Sequence, residues 1–215
     1  MVDLLPPVPL LAAFVMASLL LALTPGPGVL YIVMRSLIQG RRAGLTSVAG
    51  VALGNLANAL GATLGLAALF AVSSTAFVIV KYAGAAYLIF LGIRALRRAS
   101  ADTADVNAGP GRSRHVFRDG FFVALLNPKT TLFFAAFLPQ FMGIDANPMI
   151  QGVTLGMLFV AIAGVTDAIY AVMAGAVSSA LQDAHGLRRA GRYLSAGTFI
   201  GLGVFAAVTG ARSRQ

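Results

Sequence analysis

The stretch Thr24-Pro25-Gly26-Pro27-Gly28 interrupts an apolar segment that runs from about residue 8 to residue 34. Proline has no amide hydrogen and its ring collides with the carbonyl four residues back, so such a break costs a continuous helix about 3 kcal/mol. Asn127-Pro128-Lys129 breaks a second apolar segment, with Pro128 lying 103 positions after Pro25. Thr and Asn are good N-caps and proline suits the first helical position, so we expect half-helices to begin at Pro25 and Pro128. A plain proline kink is the alternative.

The composition is that of a polytopic membrane protein. The chain has 215 residues, is 58% hydrophobic and 11% charged, and has a mean hydropathy of +0.85. A membrane span needs about 20 residues, and apolar segments near 8–34, 43–72, 76–96, 117–138, 149–178 and 193–211 predict six spans. The net charge of +9 comes from basic residues in short loops, which indicates membrane topology and no nucleic-acid partner. The chain contains no cysteine.

An internal repeat becomes visible when the two breaks are aligned. Two further pairs of motifs recur at similar offsets: Gly50-x-x-x-Gly54 with Gly152-x-x-x-Gly156, and Lys81-Tyr82 plus Leu91-Gly92 with Arg192-Tyr193 plus Leu202-Gly203. We therefore predict three-helix repeats over residues 1–98 and 117–215, joined by a polar cytoplasmic linker over 99–116. Because three is odd, the second repeat crosses the membrane in the opposite sense. The predicted fold is all-α, with six transmembrane helices in two inverted repeats and with the first and fourth helices broken.

The basic residues predict the orientation. Twelve of them follow the first, third and fifth spans: Arg35, Arg41, Arg42, Arg94, Arg97, Arg98, Arg112, Arg114, Arg118, Arg188, Arg189 and Arg192. By the positive-inside rule these three loops are cytoplasmic, and both termini face outward.

Two charged residues lie well inside apolar spans, namely Lys129 and Asp167. On insertion scales each costs about 2.5–3.5 kcal/mol at a helix centre unless it faces water or a partner. A structural salt bridge between them is one interpretation. The other is that both line a central cavity with the half-helix starts, whose amide ends attract an anionic group. In that case Lys129 would bind a carboxylate, and Asp167 would hold an ammonium group or carry a proton.

Weaker candidates lie elsewhere in the spans. Asn55 and Asn58 would contact substrate or only pack against neighbouring helices. The glycine pairs indicate close helix packing, either within one chain or in a homodimer. His115 and His185 fall in predicted loops, so neither a metal site nor a cofactor is predicted within the bilayer.

The chain resembles the LysE/RhtB family of amino-acid exporters over nearly its whole length. The resemblance rests on Thr24-Pro25-Gly26-Pro27, Gly40-Arg41-Arg42-Ala43-Gly44, Gly50, Ala83-Gly84-Ala85-Ala86-Tyr87-Leu88, Leu91-Gly92, Asn127-Pro128-Lys129, Phe133, Phe134, Phe137-Leu138-Pro139-Gln140-Phe141 and Asp167. It implies a bacterial inner-membrane exporter of amino acids or related metabolites, driven by protons. The chain departs from the family pattern at Gly28, where the family often has a polar or acidic residue.

We interpret the chain as a secondary active transporter and not as an enzyme. The predicted substrate-binding residues are Thr24, Pro25, Gly26, Pro27, Asn55, Asn58, Asn127, Pro128 and Lys129, and Asp167 is the predicted proton-coupling residue. Export of another solute, such as a divalent cation, is an alternative, although one intramembrane carboxylate makes a poor cation cage. An intramembrane enzyme is a further alternative, but the predicted spans contain no nucleophile with an adjacent base. A membrane scaffold would have no use for two buried charges.

The orientation can be tested directly, because single cysteines can be introduced into a cysteine-free chain. We expect an impermeant maleimide to label position 74 and both termini in intact cells, and to label Arg41→Cys, Asp105→Cys and Arg189→Cys only after lysis. Labelling of Asp105→Cys from outside would contradict the inverted repeat.

Overall fold

The computed structural model describes residues 4–66, 74–100, 110–143, 147–181 and 185–208. Regular structure within these ranges is helical. The α-helices are α1 (Val8–Leu23), α2 (Pro27–Gln39), α3 (Arg41–Gly61), α4 (Ser74–Ser100), α5 (Pro110–Leu125), α6 (Pro128–Leu132), α7 (Pro148–Leu181) and α8 (His185–Val208). A π-helical turn, Ala62–Leu66, extends α3, and the turns Phe133–Phe137 and Leu138–Phe141 extend α6. The predicted linker 99–116 is partly helical, and its residues 101–109 lie outside the described ranges.

The first break separates α1 from α2 with a bend of 47°. The prediction that a half-helix begins at Pro25 is wrong, because α2 begins at Pro27 with Gly26 as its N-cap. Thr24 instead ends α1, where its hydroxyl donates to the carbonyl of Leu20 at 2.6 Å. The reason is steric: the residue before a proline is pushed out of the helical region, and Gly26 is accordingly extended at φ −129° and ψ −175°.

The second break has the predicted form. Asn127 is the N-cap of α6, with its side-chain oxygen accepting a hydrogen bond from the amide of Lys129 at 3.1 Å, and Pro128 occupies the first turn. The helices on its two sides, Ser113–Leu125 and Pro128–Phe141, are bent by 45°. Both breaks are therefore sharp, but only at the second does the side chain of the N-cap residue cap the helix that follows.

Two segments are long and apolar enough to cross a membrane alone, Arg41–Gly65 and Pro148–Ser178. Counting each bent pair as one span raises the number to four in the described part of the chain. These results support a multi-pass membrane protein. Six spans and the inverted repeat remain predictions.

Helix α3 lies at the centre and packs against α2, α5 and α7, while α4 packs against α8. Glycines make the close approaches. A Cβ on Gly50 would collide with the Phe117 carbonyl, and one on Gly54 would lie 2.5 Å from the Phe121 carbonyl oxygen. On α7, a Cβ on Gly156 would lie 2.7 Å from that of Ala59. The interpretation of these glycines as packing residues is thus confirmed. Gly65 differs, because it has a positive φ of 87° and interrupts the turn that follows α3.

Two apolar clusters occupy opposite ends of the helix assembly. One, containing Phe14, Phe134 and Phe159, joins α1, the extension of α6, and α7. The other, containing Tyr31, Leu88 and Phe199, joins α2, α4 and α8. The two helix breaks lie between the clusters.

An ionic cluster, formed around Asp119, ties α2, α4 and α5 together. Its carboxylate is 1% exposed and contacts Arg35 at 3.2 Å, Arg94 at 3.3 Å and Arg118 at 3.8 Å. Tyr87 donates a further hydrogen bond to it at 3.2 Å. From the sequence these arginines indicate only membrane topology, because their spacing does not show that three helices converge on one carboxylate.

Removing this carboxylate should destabilise the protein strongly. We expect Asp119→Asn to lower the free energy of unfolding by about 3–5 kcal/mol, since it leaves buried arginine charge without a partner. Arg118→Gln is the matched control, because Arg118 is 54% exposed and an exposed pair contributes about 0–1 kcal/mol. Thermal unfolding of both purified variants checks this, and equal effects would contradict the central role of Asp119.

Candidate functional site

A small cavity lies where the two helix breaks meet. Its volume is about 40 Å³, enough for a few water molecules and well below the roughly 300–1,000 Å³ of pockets that bury small ligands. Polar lining comes from Thr24, Asn55, Asn127, Lys129, Thr130 and Asp167, and the remaining lining residues are Leu21, Ala22, Gly26, Gly28, Val29, Val51, Ala124, Phe159 and Ala163. The cavity, whose lining includes the exposed Thr24, must therefore widen to hold a solute.

Six of the predicted site residues meet in this cavity: Thr24, Gly26, Asn55, Asn127, Lys129 and Asp167. The other four do not line it. Pro25, Pro27 and Pro128 shape the breaks, and Asn58 donates from Nδ2 to the carbonyl of Ala124 at 2.9 Å. That contact satisfies a carbonyl at the end of α5, so the structure gives Asn58 a packing role.

The ammonium group of Lys129 is bound to the end of α1. Its Nζ donates to the carbonyl oxygens of Leu21 and Thr24 at 2.8 and 2.5 Å. The last carbonyls of a helix lack intrahelical partners and carry its negative dipole end, so a cation is well placed there. Tyr170 supplies another partner to this helix end, donating to the carbonyl of Leu23 at 3.2 Å.

Asp167 lies deep in α7 and is 5% exposed. In the described part of the chain it forms no hydrogen bond and no ion pair within 4.0 Å, and the charge that acts on it is that of Lys129. The alternative of a direct salt bridge between Lys129 and Asp167 is therefore not observed. Phe159, Ala163 and Asp167 follow one another at four-residue spacing, which places them on one face of α7.

Asn55 is the second buried acceptor of the cavity. It lies on α3, is 5% exposed, and its Oδ1 has no hydrogen-bond partner among the described residues. Buried polar atoms are nearly always paired in native proteins. This oxygen is itself buried, so Asn55 places an unpaired acceptor beside the cavity.

The two helix starts offer different numbers of free donors. At α6 the side chain of Asn127 already accepts from the amide of Lys129. At α2 the N-cap is Gly26, which makes no side-chain cap, and the next residues, Gly28 and Val29, line the cavity. The amides of Gly28 and Val29 at α2 and of Thr130 at α6 precede the first intrahelical bonds. The start of α2 therefore offers two such donors and the start of α6 one, each at the positive end of a helix dipole.

The arrangement suits reversible binding of a small polar molecule. No group of three or more His, Cys, Asp or Glu side chains within the described ranges could hold a metal ion. Acceptors come from α3 and α7, and donors come from the starts of α2 and α6 and from the third N–H of the Lys129 ammonium group. The four-residue spacing of Phe159, Ala163 and Asp167 could have revealed from the sequence that they share one face of α7. The hydrogen bond from Tyr170 to the end of α1 has no comparable signal in the sequence.

The profile of the LysE type translocator family matches residues 19–210. A homoserine/homoserine lactone efflux protein of Salmonella typhimurium is 35% identical over 167 residues, which cover 78% of this chain and 81% of that protein. An uncharacterized membrane protein of Vibrio cholerae is 27% identical over 195 residues, covering 91% of this chain and 95% of that protein. No solved structure matches the chain.

Replacing Lys129 tests whether it stabilises the end of α1. We expect Lys129→Met to lower the free energy of unfolding by about 1–3 kcal/mol, because the carbonyls of Leu21 and Thr24 lose a charged donor. Adding Asp167→Asn should not restore stability, and the coupling energy between the two sites should stay below about 1 kcal/mol. The measurement is thermal unfolding of both single variants and the double variant. A double variant as stable as the wild type would show that Lys129 and Asp167 stabilise the fold as a pair.

Proposed function

Because this chain belongs to the LysE type translocator family, we propose that it exports a small amino acid or a closely related metabolite in exchange for protons. The name of the Salmonella relative makes homoserine and homoserine lactone the first compounds to test. The observation that carries the proposal is the buried carboxylate of Asp167, which has no ion-pair partner within the described ranges and lines a cavity between two helix breaks.

Asp167 offers a simple means of coupling. A carboxylate binds either a proton or the ammonium group of a substrate, and the two occupants exclude each other. Protonation from outside would release the substrate, and loss of the proton to the cytoplasm would reset the site. Proton entry would in this way drive export of an amine.

The packing supports an inverted-repeat transporter with alternating access. Helix α4 packs on α8, its counterpart in the proposed second repeat, and α5 packs on α3 as α1 packs on α7. A site at the repeat interface, built from broken helices, is the arrangement found in several transporter folds. We place the protein in the bacterial inner membrane with both termini outside.

The test is counterflow into proteoliposomes that contain the purified protein. We expect labelled homoserine or homoserine lactone to enter liposomes preloaded with the same compound and not empty control liposomes. A panel of basic, neutral and acidic amino acids defines the range. Transport of a divalent cation with no transport of amino acids or lactones would contradict the proposal.

The same liposomes test coupling through Asp167. We expect Asp167→Asn to abolish flux driven by an imposed pH gradient, because an amide does not exchange a proton in this range. Asp167→Glu is the matched control, which keeps the titratable group and should retain part of the flux. Full proton-driven flux in Asp167→Asn would exclude this residue as the coupling site.

A further inference from the structure

We infer that Gly28 determines the size of the solutes that the cavity accepts, because its missing side chain leaves room beside Val51 for an aliphatic part of the solute. The inference rests on the proposed function and specifies which members of the substrate class are carried, namely those whose aliphatic part is short. Gly28 is thus assigned as a specificity-determining residue, and Val51 as the opposite wall of the same space.

Gly28 differs from the other buried glycines of the chain. Within the described ranges, each of the others would bring an added Cβ to less than 3.0 Å from an atom of another residue, so close packing requires it. A Cβ on Gly28 would meet only Cγ1 of Val51, at 3.5 Å, which is ordinary van der Waals contact. The described glycines with a positive φ are Gly40 and Gly65. Packing and backbone conformation therefore both allow a side chain at position 28.

The space in front of Gly28 belongs to the cavity. Gly28 is buried and lines the cavity in the first turn of α2. Apart from its own helix and chain neighbours, one atom of the described residues lies within 4 Å of a Cβ built there, so most of the surrounding space is empty. Around a buried residue that lines a cavity, this empty space is the cavity itself. Glycine is a weak helix former, so the cavity gives a reason for it that the helix does not.

The wall opposite Gly28 is apolar. Val51 lies on α3, which packs against α2, and is 3% exposed. The charged groups of the cavity, Lys129 and Asp167, have no atom within 4 Å of the added Cβ. Gly26 differs, because a Cβ there would lie 3.3 Å from Cδ of Lys129. Gly26 therefore makes room for the lysine side chain, whereas Gly28 makes room for an aliphatic group, whose burial against Val51 is favourable.

Gly28→Ala should reduce this room without disturbing the fold. One methylene in an apolar site changes binding by about 10- to 200-fold, so the loss should increase with the length of the aliphatic chain. A glycine that served only to expose the amides at the start of α2 would give another result, because an added methyl group would weaken the binding of all solutes alike. The dependence on chain length distinguishes the two roles.

The test is inhibition of counterflow by four straight-chain amino acids: alanine, 2-aminobutyrate, norvaline and norleucine. The labelled compound is homoserine, its lactone or, if neither exchanges, the best-exchanged member of the amino-acid panel. We expect Gly28→Ala to weaken the longest acid that inhibits the wild type at least about tenfold, and alanine less than about threefold. Val51→Ala should favour longer acids, and the double variant should regain the longer inhibitors lost in Gly28→Ala.

Two matched control variants lie outside the cavity. Gly164→Ala adds a methyl group to α7 at a position where nothing lies within 4 Å of the new Cβ. Val48→Ala makes the same truncation as Val51→Ala on the same helix. Neither residue lines the cavity, so neither variant should change the dependence on chain length. Thermal unfolding of every variant shows whether it is folded, and if Val51→Ala does not fold, the result for Gly28→Ala decides.

Several outcomes would overturn the inference and leave the proposed function intact. These are equal losses at every chain length in Gly28→Ala, no loss, and failure of Gly28→Ala to fold, since packing would then require the glycine. Exchange of the labelled compound without inhibition of the wild type by any of the four acids is another. Failure of the wild type to exchange homoserine, its lactone and every member of the panel would overturn the proposed function, and the inference with it.

Discussion

The bond between the Lys129 ammonium group and the last carbonyls of α1 is the constraint on which the site depends. The last carbonyls of a helix have no intrahelical partner, and another group must satisfy them wherever they are shielded from water. Lys129 supplies that group from the second half of the chain to the first, at 2.8 Å from the Leu21 carbonyl oxygen. In the opposite direction, Asn58 in the first half donates from Nδ2 to the carbonyl oxygen of Ala124 at the end of α5, at 2.9 Å. Each broken helix is thus completed by the opposite half.

The direction of the Lys129 side chain explains the polarity of the cavity. Since Lys129 is directed to α1, the carboxylate of Asp167 stays without an ion-pair partner within 4.0 Å in the described part of the chain. Together with Asn55 it gives the site an unsatisfied acceptor side. A buried carboxylate without a counter-ion is costly, which favours a bound proton or cation. Under the proposed function, the same carboxylate would bind either the amine or the proton.

Two unlike clusters of side chains hold together the helices around the site. On one side, aromatic residues including Phe14, Phe134 and Phe159 pack against each other. On the other, Asp119 joins three arginines from α2, α4 and α5. Apolar packing is stabilised by its exclusion from water, whereas the buried carboxylate of Asp119 depends on its arginine partners. Separating the helices at Asp119 would thus unpair buried charge, and separating them at the aromatic residues would expose apolar surface.

The sequence alone determined the membrane class, the two helix breaks, the cap at Asn127 and the charges at Lys129 and Asp167, because composition, proline chemistry and the cost of buried charge are local properties. It misplaced the start of α2 by two residues, since the effect of Pro27 on Gly26 outweighed the capping preference of Thr24. The direction of the Lys129 side chain, the convergence on Asp119 and the free oxygen of Asn55 could come only from the tertiary structure. Each depends on which distant helix end lies within about 3 Å of a side chain, and spacing along the chain carries no information about that distance.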